Sequence, residues 1–210
     1  MAMQTFTRLY DDHDDAVHVV QSLEQTGVPH ADVSLVANNV DARHGADGGS
    51  GTGLTSGDPE QGASTGGGTG ATLGTVLGGG AGLLAGLGML AIPGVGPIVA
   101  AGWLVATLVG AGVGAAAGGL VGSLTGAGVS EADAHTYSEG VRRGGSLVTV
   151  RADDTMASTV NAILDGRTPV DPAVRRTEYE KTGWTKLDPA APAYTTEQVT
   201  TERRSRVRVY

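Results

Sequence analysis

Asp11-Asp12-His13-Asp14-Asp15 is the densest group of ligand-type side chains in the chain. Hard cations take carboxylate oxygens, so a divalent-ion site is the chemistry such a group could carry. Its spacing argues otherwise. Adjacent side chains at a helix start diverge, and no Asp-x-Asp-x-Asp-Gly loop is present to fold carboxylates around an ion. A capped, acidic first helical turn accounts for the same residues, with one aspartate as N-cap and the rest complementing the helix dipole. Of His13, His18, His30, His44 and His135, only the first two are near neighbours. Five residues apart, they point about 140° away from each other on a helix, and no Glu-x-x-His pattern supports them.

Other chemistries fare no better. The chain has no cysteine, which excludes disulfides, thiolate metal sites and cysteine nucleophiles. No Gly-x-Ser-x-Gly elbow occurs. The glycine-rich stretch 65–75 (TGGGTGATLGT) lacks the Lys-Ser/Thr of a phosphate-cradling loop and follows no strand. At the C-terminus Arg204, Arg206 and Arg208 share a face if the tail is extended. They would contact anionic headgroups or phosphates, or, as the plainer reading, pair loosely with the acidic N-terminal unit. No catalytic, cofactor-binding or metal-binding residue is assigned, and the chain is expected not to be an enzyme.

The strongest regularity is of another kind. Residues 61–130 contain no charged side chain. Within them Gly70, Gly74, Gly78, Gly82 and Gly86 recur every fourth residue, as do Gly110, Gly114, Gly118, Gly122 and Gly126. Residues four apart share a helix face, and a glycine face lets another backbone approach closely, the small-xxx-small device of membrane helix pairs. Between the ladders lies Pro93-Gly94-Val95-Gly96-Pro97, a turn. The indices of Gly70 and Gly126, and of Gly86 and Gly110, both sum to 196, which puts the centre of an antiparallel pair at residue 98. The spacing predicts a right-handed glycine-zipper helical hairpin over 70–128, whose glycines mediate helix packing and self-association. A spanning helix needs ~20 largely apolar residues; 71–91 and 98–126 supply two, although glycine and alanine make both only weakly hydrophobic. Lipid and the core of a homo-oligomer are the two media such a hairpin suits.

The flanking chain must hold this insert. Residues 3–9 alternate as a strand, Val17, Val20 and Leu23 mark a helix that Gly27 ends, and Val33–Ala37 is a second strand. Residues 38–69 have little to bury and read as a flexible linker. After the insert, Ser130 and Asp133 form a near capping box for a helix that Gly144-Gly145 stops. Ser146–Arg151 is the clearest strand. Asp153-Asp154 should cap a helix with a Met156, Val160, Ile163, Leu164 stripe, and Ala173–Glu178 reads as a last strand. Two β-α-β halves, 1–37 and 130–180, give an α+β, ferredoxin-like split β-α-β sandwich interrupted by the hairpin, followed by an extended C-terminal tail, 181–210.

The segment Tyr137–Val150 (YSEGVRRGGSLVTV) resembles the second half of the heat-induced stress protein YflT family, the general stress protein 17M-like domain. The first strand, the acidic helix start and the Val-Ser-Leu-Val strand are similar too, so the likeness spans about residues 3–37 and 131–180. The resemblance implies a bacterial stress-response role and no catalytic residues to carry over. The net charge of −8 resides in residues 1–60, with ten acids against two arginines, and residues 131–210 balance at twelve of each sign. This is not a nucleic-acid-binding profile. MAMQTFTRLYDDHDD lacks the apolar core of a signal peptide. The expected setting is a cytoplasmic domain associated with the inner membrane through membrane lipid, or else wholly cytoplasmic, in either case as a homo-oligomer. The alternative function is a soluble oligomeric regulatory or ligand-binding module with hairpins bundled between subunits.

Overall fold

Residues 3–41, 88–92, 94–104, 107 and 119–207 are described by a computed structural model of the chain. They alternate strands and helices: β1 (Met3–Tyr10), α1 (His13–Gln25), β2 (Val33–Asn38), β3 (Gly88–Ile92), β4 (Gly96–Gly102), α2 (Gly119–Gly126), α3 (Glu131–Arg142), β5 (Ser146–Asp153), α4 (Ala157–Asp165), α5 (Pro172–Glu180) and α6 (Thr196–Val207). The strands form one sheet in the order β1-β5-β2-β4-β3, and every neighbouring pair is antiparallel. The protein is therefore a mixed α+β domain. Because β5 runs antiparallel between β1 and β2, the unit β1-α1-β2 is split by it.

Strand alternation sends successive side chains to opposite faces, and both faces are covered. Leu35, Val148 and Val150 pack with Val20 and Leu23 of α1 and Val160 and Leu164 of α4. Leu9, Val36, Leu147 and Ile98 pack on the other side with Leu120 and Leu124 of α2 and Tyr137 and Val141 of α3. Coverage on both sides explains why all six residues of β2 are buried, as a strand walled in on two faces requires.

Local signals place most helix ends. Asp12 caps α1 by accepting from the Asp14 amide (2.9 Å). Ser130 caps α3 through the Asp133 amide (3.2 Å) and donates its hydroxyl to the Asp133 carboxylate (2.7 Å). Gly144, at φ +104°, turns the chain out of α3. The start of α4 differs from expectation: Asp154–Met156 is a 3-10 turn and neither Asp153 nor Asp154 makes a side-chain cap.

Three expectations are corrected. First, residues 88–102 are not helical arms meeting at a loop but a β-hairpin. Gly88 pairs with Ala100 and Ile92 with Gly96, so the indices sum to 188 and the centre is residue 94 rather than 98. Of the expected turn residues, Gly94 lies in the turn at φ +76°, while Gly96 (φ +102°) and Pro97 begin β4; Pro93 lies outside the described residues. The physical reason is tertiary. Strand β2 needs a partner on its second edge, and β4 supplies it from Ser34↔Gly102 to Asn38↔Ile98, satisfying backbone groups that burial would otherwise leave unpaired. Second, Ala173–Glu178 is helix α5, because the Asp171 carboxylate accepts from the Ala173 and Val174 amides (2.8 and 3.0 Å) and Pro172 sits in the first turn. Only Val170 bridges to β1, through Leu9. Third, the tail is not extended over Thr196–Val207, which is α6.

Candidate functional site: an arginine seam beneath the C-terminal helix

The last turn of α3 presents Glu139, Arg142 and Arg143 to one side. Glu139 is fully buried, and its carboxylate accepts from Arg143 Nε (2.7 Å) and Arg142 Nη1 (3.3 Å). The Arg143 guanidinium lies over the Tyr179 ring of α5 at 4.3 Å and reaches Glu202 of α6 at 3.3 Å. Arg142 lies over Tyr194 at 4.6 Å and donates to the Pro192 carbonyl (2.8 Å). Cations over aromatic faces gain about 0.5–2 kcal/mol each, more as water is excluded.

Asp11, at the junction of β1 and α1, is the second node. Arg175 of α5 grips it bidentately (2.8 and 2.6 Å), and Arg206 of α6 adds a third contact (2.9 Å). Arg206 also reaches Glu202 (3.4 Å). Burial opposes the Asp11 charge, yet the two guanidinium groups outweigh it and hold the carboxyl below its ordinary value. Burial likewise works against the Arg143 cation, and the Glu139 hydrogen bond and charge overcome it, raising that pKa. A third node joins Arg203 of α6 to Asp41, with Arg203 Nε donating to the Gly144 carbonyl (3.0 Å).

The cations of this seam, Arg142, Arg143, Arg175, Arg203 and Arg206, each face a carboxylate. Such an arrangement holds elements together; it does not present a free charge to a substrate.

The residues singled out from sequence are placed as follows. The Asp11–Asp15 group is divided among separate tasks: Asp11 in the seam, Asp12 in the α1 cap, Asp15 with Arg167 (3.4 Å). His13 Nδ1 lies 3.0 Å from Ser146 Oγ, but Ser146 is 1% exposed, so the pair ties α1 to β5 and offers no accessible nucleophile. No group of three or more His, Cys, Asp or Glu is placed to hold a metal among the described residues. His30 pairs with Glu24 (2.8 Å), and His135 approaches Glu131 at 3.8 Å. Arg206 and Arg203 face inward on a helix and Arg204 outward, so the shared extended face of Arg204, Arg206 and Arg208 does not form over the first two; Arg208 lies outside the described residues.

Of the ladder glycines, Gly122 and Gly126 are described. Both are exposed on α2, and a Cβ at either would meet nothing within 4 Å. Helix α2 packs by Leu120 and Leu124 instead. Gly70, Gly74, Gly78, Gly82, Gly86, Gly110, Gly114 and Gly118 lie outside the described residues, as does the expected linker beyond Asp41. No described helix is long and apolar enough to cross a membrane.

Sequence reasoning passed over Glu139, Arg142, Arg143, Arg175, Tyr179, Tyr194 and Glu202. A signal existed for part of the seam: Arg142 and Arg143 follow Glu139 by three and four residues, and Arg206 follows Glu202 by four, the spacings at which helical side chains meet. The partners on other elements had none.

The segment joining α5 to α6 is a strap across the β3–β4 turn. Leu187 is buried with Val95 and Ile98. A Cβ on Gly94 would lie 2.6 Å from both the Asp188 carbonyl oxygen and Pro189 Cα, and one on Gly96 would lie 2.9 Å from Ala193 Cβ. At Gly94 backbone meets backbone only because the turn position lacks a side chain, and at Gly96 the same lack admits the Ala193 methyl. Compared with protein-family models, with curated proteins and with solved structures, the chain matches none.

Proposed function

We propose that the protein is a non-enzymatic bacterial stress-response protein that associates through its charge-free, glycine-rich insert. The domain has the split β1-β5-β2 arrangement with α1 and α4 on one face, in keeping with a ferredoxin-like unit whose fourth strand is reduced to the Val170 bridge. The insert enters after β2 and leaves before α3, so the domain serves as its platform. The stress role rests on the likeness of residues 137–150 to the YflT family.

One observation supports self-assembly over lipid. The β3–β4 hairpin is docked in the sheet, which divides the charge-free run in two. In the segment between Asp41 and Gly88, residues 61–87 supply 27 charge-free positions, and between Leu104 and Gly119 residues 105–118 supply 14. Leaving and returning through a bilayer takes two spans of ~20 residues each. Neither segment is long enough while the hairpin is docked. The docked form therefore favours self-assembly: exposed Gly122 and Gly126 leave room for a close backbone from another copy. Insertion into lipid requires the hairpin to leave the sheet.

Sedimentation over a dilution series without detergent tests the reading. Oligomers are expected, and replacing Gly78 and Gly118 by Leu should shrink them. A protein that stays monomeric at every concentration, and does not float with vesicles, overturns it. The alternative of a regulatory module bundling its inserts between subunits predicts the same oligomers, together with a ligand that shifts their size.

A further inference from the structure

The C-terminal segment touches both places where the insert meets the domain. At the insert's mouth, Thr196 donates its hydroxyl to the Val40 carbonyl (3.2 Å) and Arg203 pairs with Asp41, the last described residue before residue 88. At the β3–β4 turn, Leu187, Asp188, Pro189 and Ala193 lie against Val95, Gly94 and Gly96. Beside the buried Leu187 and the Thr196 hydrogen bond, most of the side-chain holds that keep this segment down are made by arginines. Helix α6 is fixed through Arg203 to Asp41 and Gly144, Arg206 to Asp11, and Glu202 to Arg143. The strap is fixed through Arg142 to the Pro192 carbonyl and to the Tyr194 ring. Against these stands Val199, the one fully buried apolar residue among the described side chains of α6. The hairpin itself is held to the sheet differently, by the antiparallel β2–β4 ladder and by the buried side chains of Val95, Ile98 and Val99.

We infer that residues 187–207 are an electrostatic clamp on the insert, and that opening the clamp releases the β3–β4 hairpin from the sheet. Ion pairs that keep some exposure, as Arg206–Asp11 and Arg143–Glu202 do, weaken with ionic strength, less than fully exposed pairs but more than apolar packing. An element held by arginines can thus open on its own, at the low end of the domain's range of local stabilities. Opening removes the backbone of Asp188 and Pro189 from Gly94 and exposes Val95 and the turn. Once the hairpin leaves, residues 61–118 form one uninterrupted charge-free run, long enough for two spans. The clamp rests on the proposed association only for its consequence; its opening can be read independently.

The test is hydrogen exchange on the full chain, with Arg203→Glu and Arg206→Glu made together, alongside wild type in rising sodium chloride. Exchange in 196–207 and in 94–102 is expected to rise together by about tenfold or more, while β1 and β5 keep their protection. Restoring opposite charges with Asp41→Arg and Arg203→Asp should recover part of the protection of both segments. The clamp is overturned if 196–207 opens and 94–102 does not follow, or if β1 and β5 lose protection in step, which would make α6 an inseparable part of the domain. Salt that leaves the wild type unchanged also overturns it. Flotation of the variant with phosphatidylcholine vesicles, and its sedimentation, separate the two ideas. A hairpin that opens without floating or assembling upholds the clamp and sinks the proposed association.

Discussion

Replacing Glu139 by Ala is the sharpest probe of the seam. The carboxylate is fully buried and neutralises two guanidinium groups whose side chains are 8% and 12% exposed, Arg143 and Arg142. Removing one partner of a buried pair costs about 3–5 kcal/mol, because the other charge stays behind without water. Here Arg143 keeps Glu202 at 3.3 Å and the Tyr179 face at 4.3 Å, so the low end applies, about 3 kcal/mol. Against a total stability of ~5–15 kcal/mol that is a large fraction. In urea, with a slope near ~2 kcal/mol/M, the midpoint should fall by about 1.5 M at unchanged slope. Glu139→Ala combined with Arg143→Met should recover part of the loss, since the more buried of the two stranded charges goes with its partner. A midpoint shift of the single variant below about 0.3 M would refute the claim that the pair is desolvated and dependent on both partners. A double variant no better than the single would place the cost in the cavity instead.

Asp11 has a folded pKa below its unfolded value of 3.8. Its contribution is therefore present above 3.8 and is lost as the pH falls through the lower folded value; Asp11→Asn should lower stability at neutral pH, and the gap to wild type should close on acidification in urea midpoints taken from pH 7 to 2. Gly102→Ala should destabilise the β2–β4 edge by about 2 kcal/mol or more, because φ is +95° and the new Cβ would strike the Val33 carbonyl. Gly27→Ala is the control: φ is also +95°, but its Cβ meets open space, so about 1 kcal/mol is expected from the backbone alone. Gly122→Leu should leave the unfolding midpoint of the monomer within about 0.5 kcal/mol of wild type, since nothing lies within 4 Å, yet should change the sedimentation profile if that face packs between copies.

Wherever the determining contacts are near in sequence, the fold was legible. Strand β1, helix α1, strand β2, the Ser130–Asp133 cap, α3 and β5 follow from periodicity and capping within a dozen residues, and α4 from its apolar stripe without the expected cap. The C-terminal third was less so. Among its described side chains helix α6 has one fully buried apolar residue, Val199, and its charged partners are Asp11, Asp41 and Arg143, which lie far away in the chain. No window of sequence contains those partners. The acidic excess of residues 1–60 was the visible half of that arrangement: Asp11 and Asp41 belong to it, and the balanced C-terminal region supplies the arginines. The plainer reading of the tail anticipated pairing with the acidic unit, but not its geometry, because a tight network needs the helix that only the pairing stabilises.

The insert shows where local regularity and tertiary demand diverge. Period-four glycine is a helical signal, and the sum of 196 pairs one ladder with the other. The docked hairpin instead follows a sum of 188 about residue 94, and the two registers cannot hold over residues 86–110 at once. What favours the sheet is β2, a fully buried strand whose second edge would carry unpaired amides and carbonyls without β4, at about 1–3 kcal/mol for each group left unsatisfied. Lipid would favour the ladders, since it rewards glycine faces and does not supply the edge of β2, whereas a second copy can meet the exposed Gly122 and Gly126 with the hairpin docked. The same residues thus satisfy one environment at a time. Their partition is set by how firmly the chain after residue 186 holds the turn at Gly94, which makes the arginines of α6, rather than the glycines, the place where sequence changes should shift it.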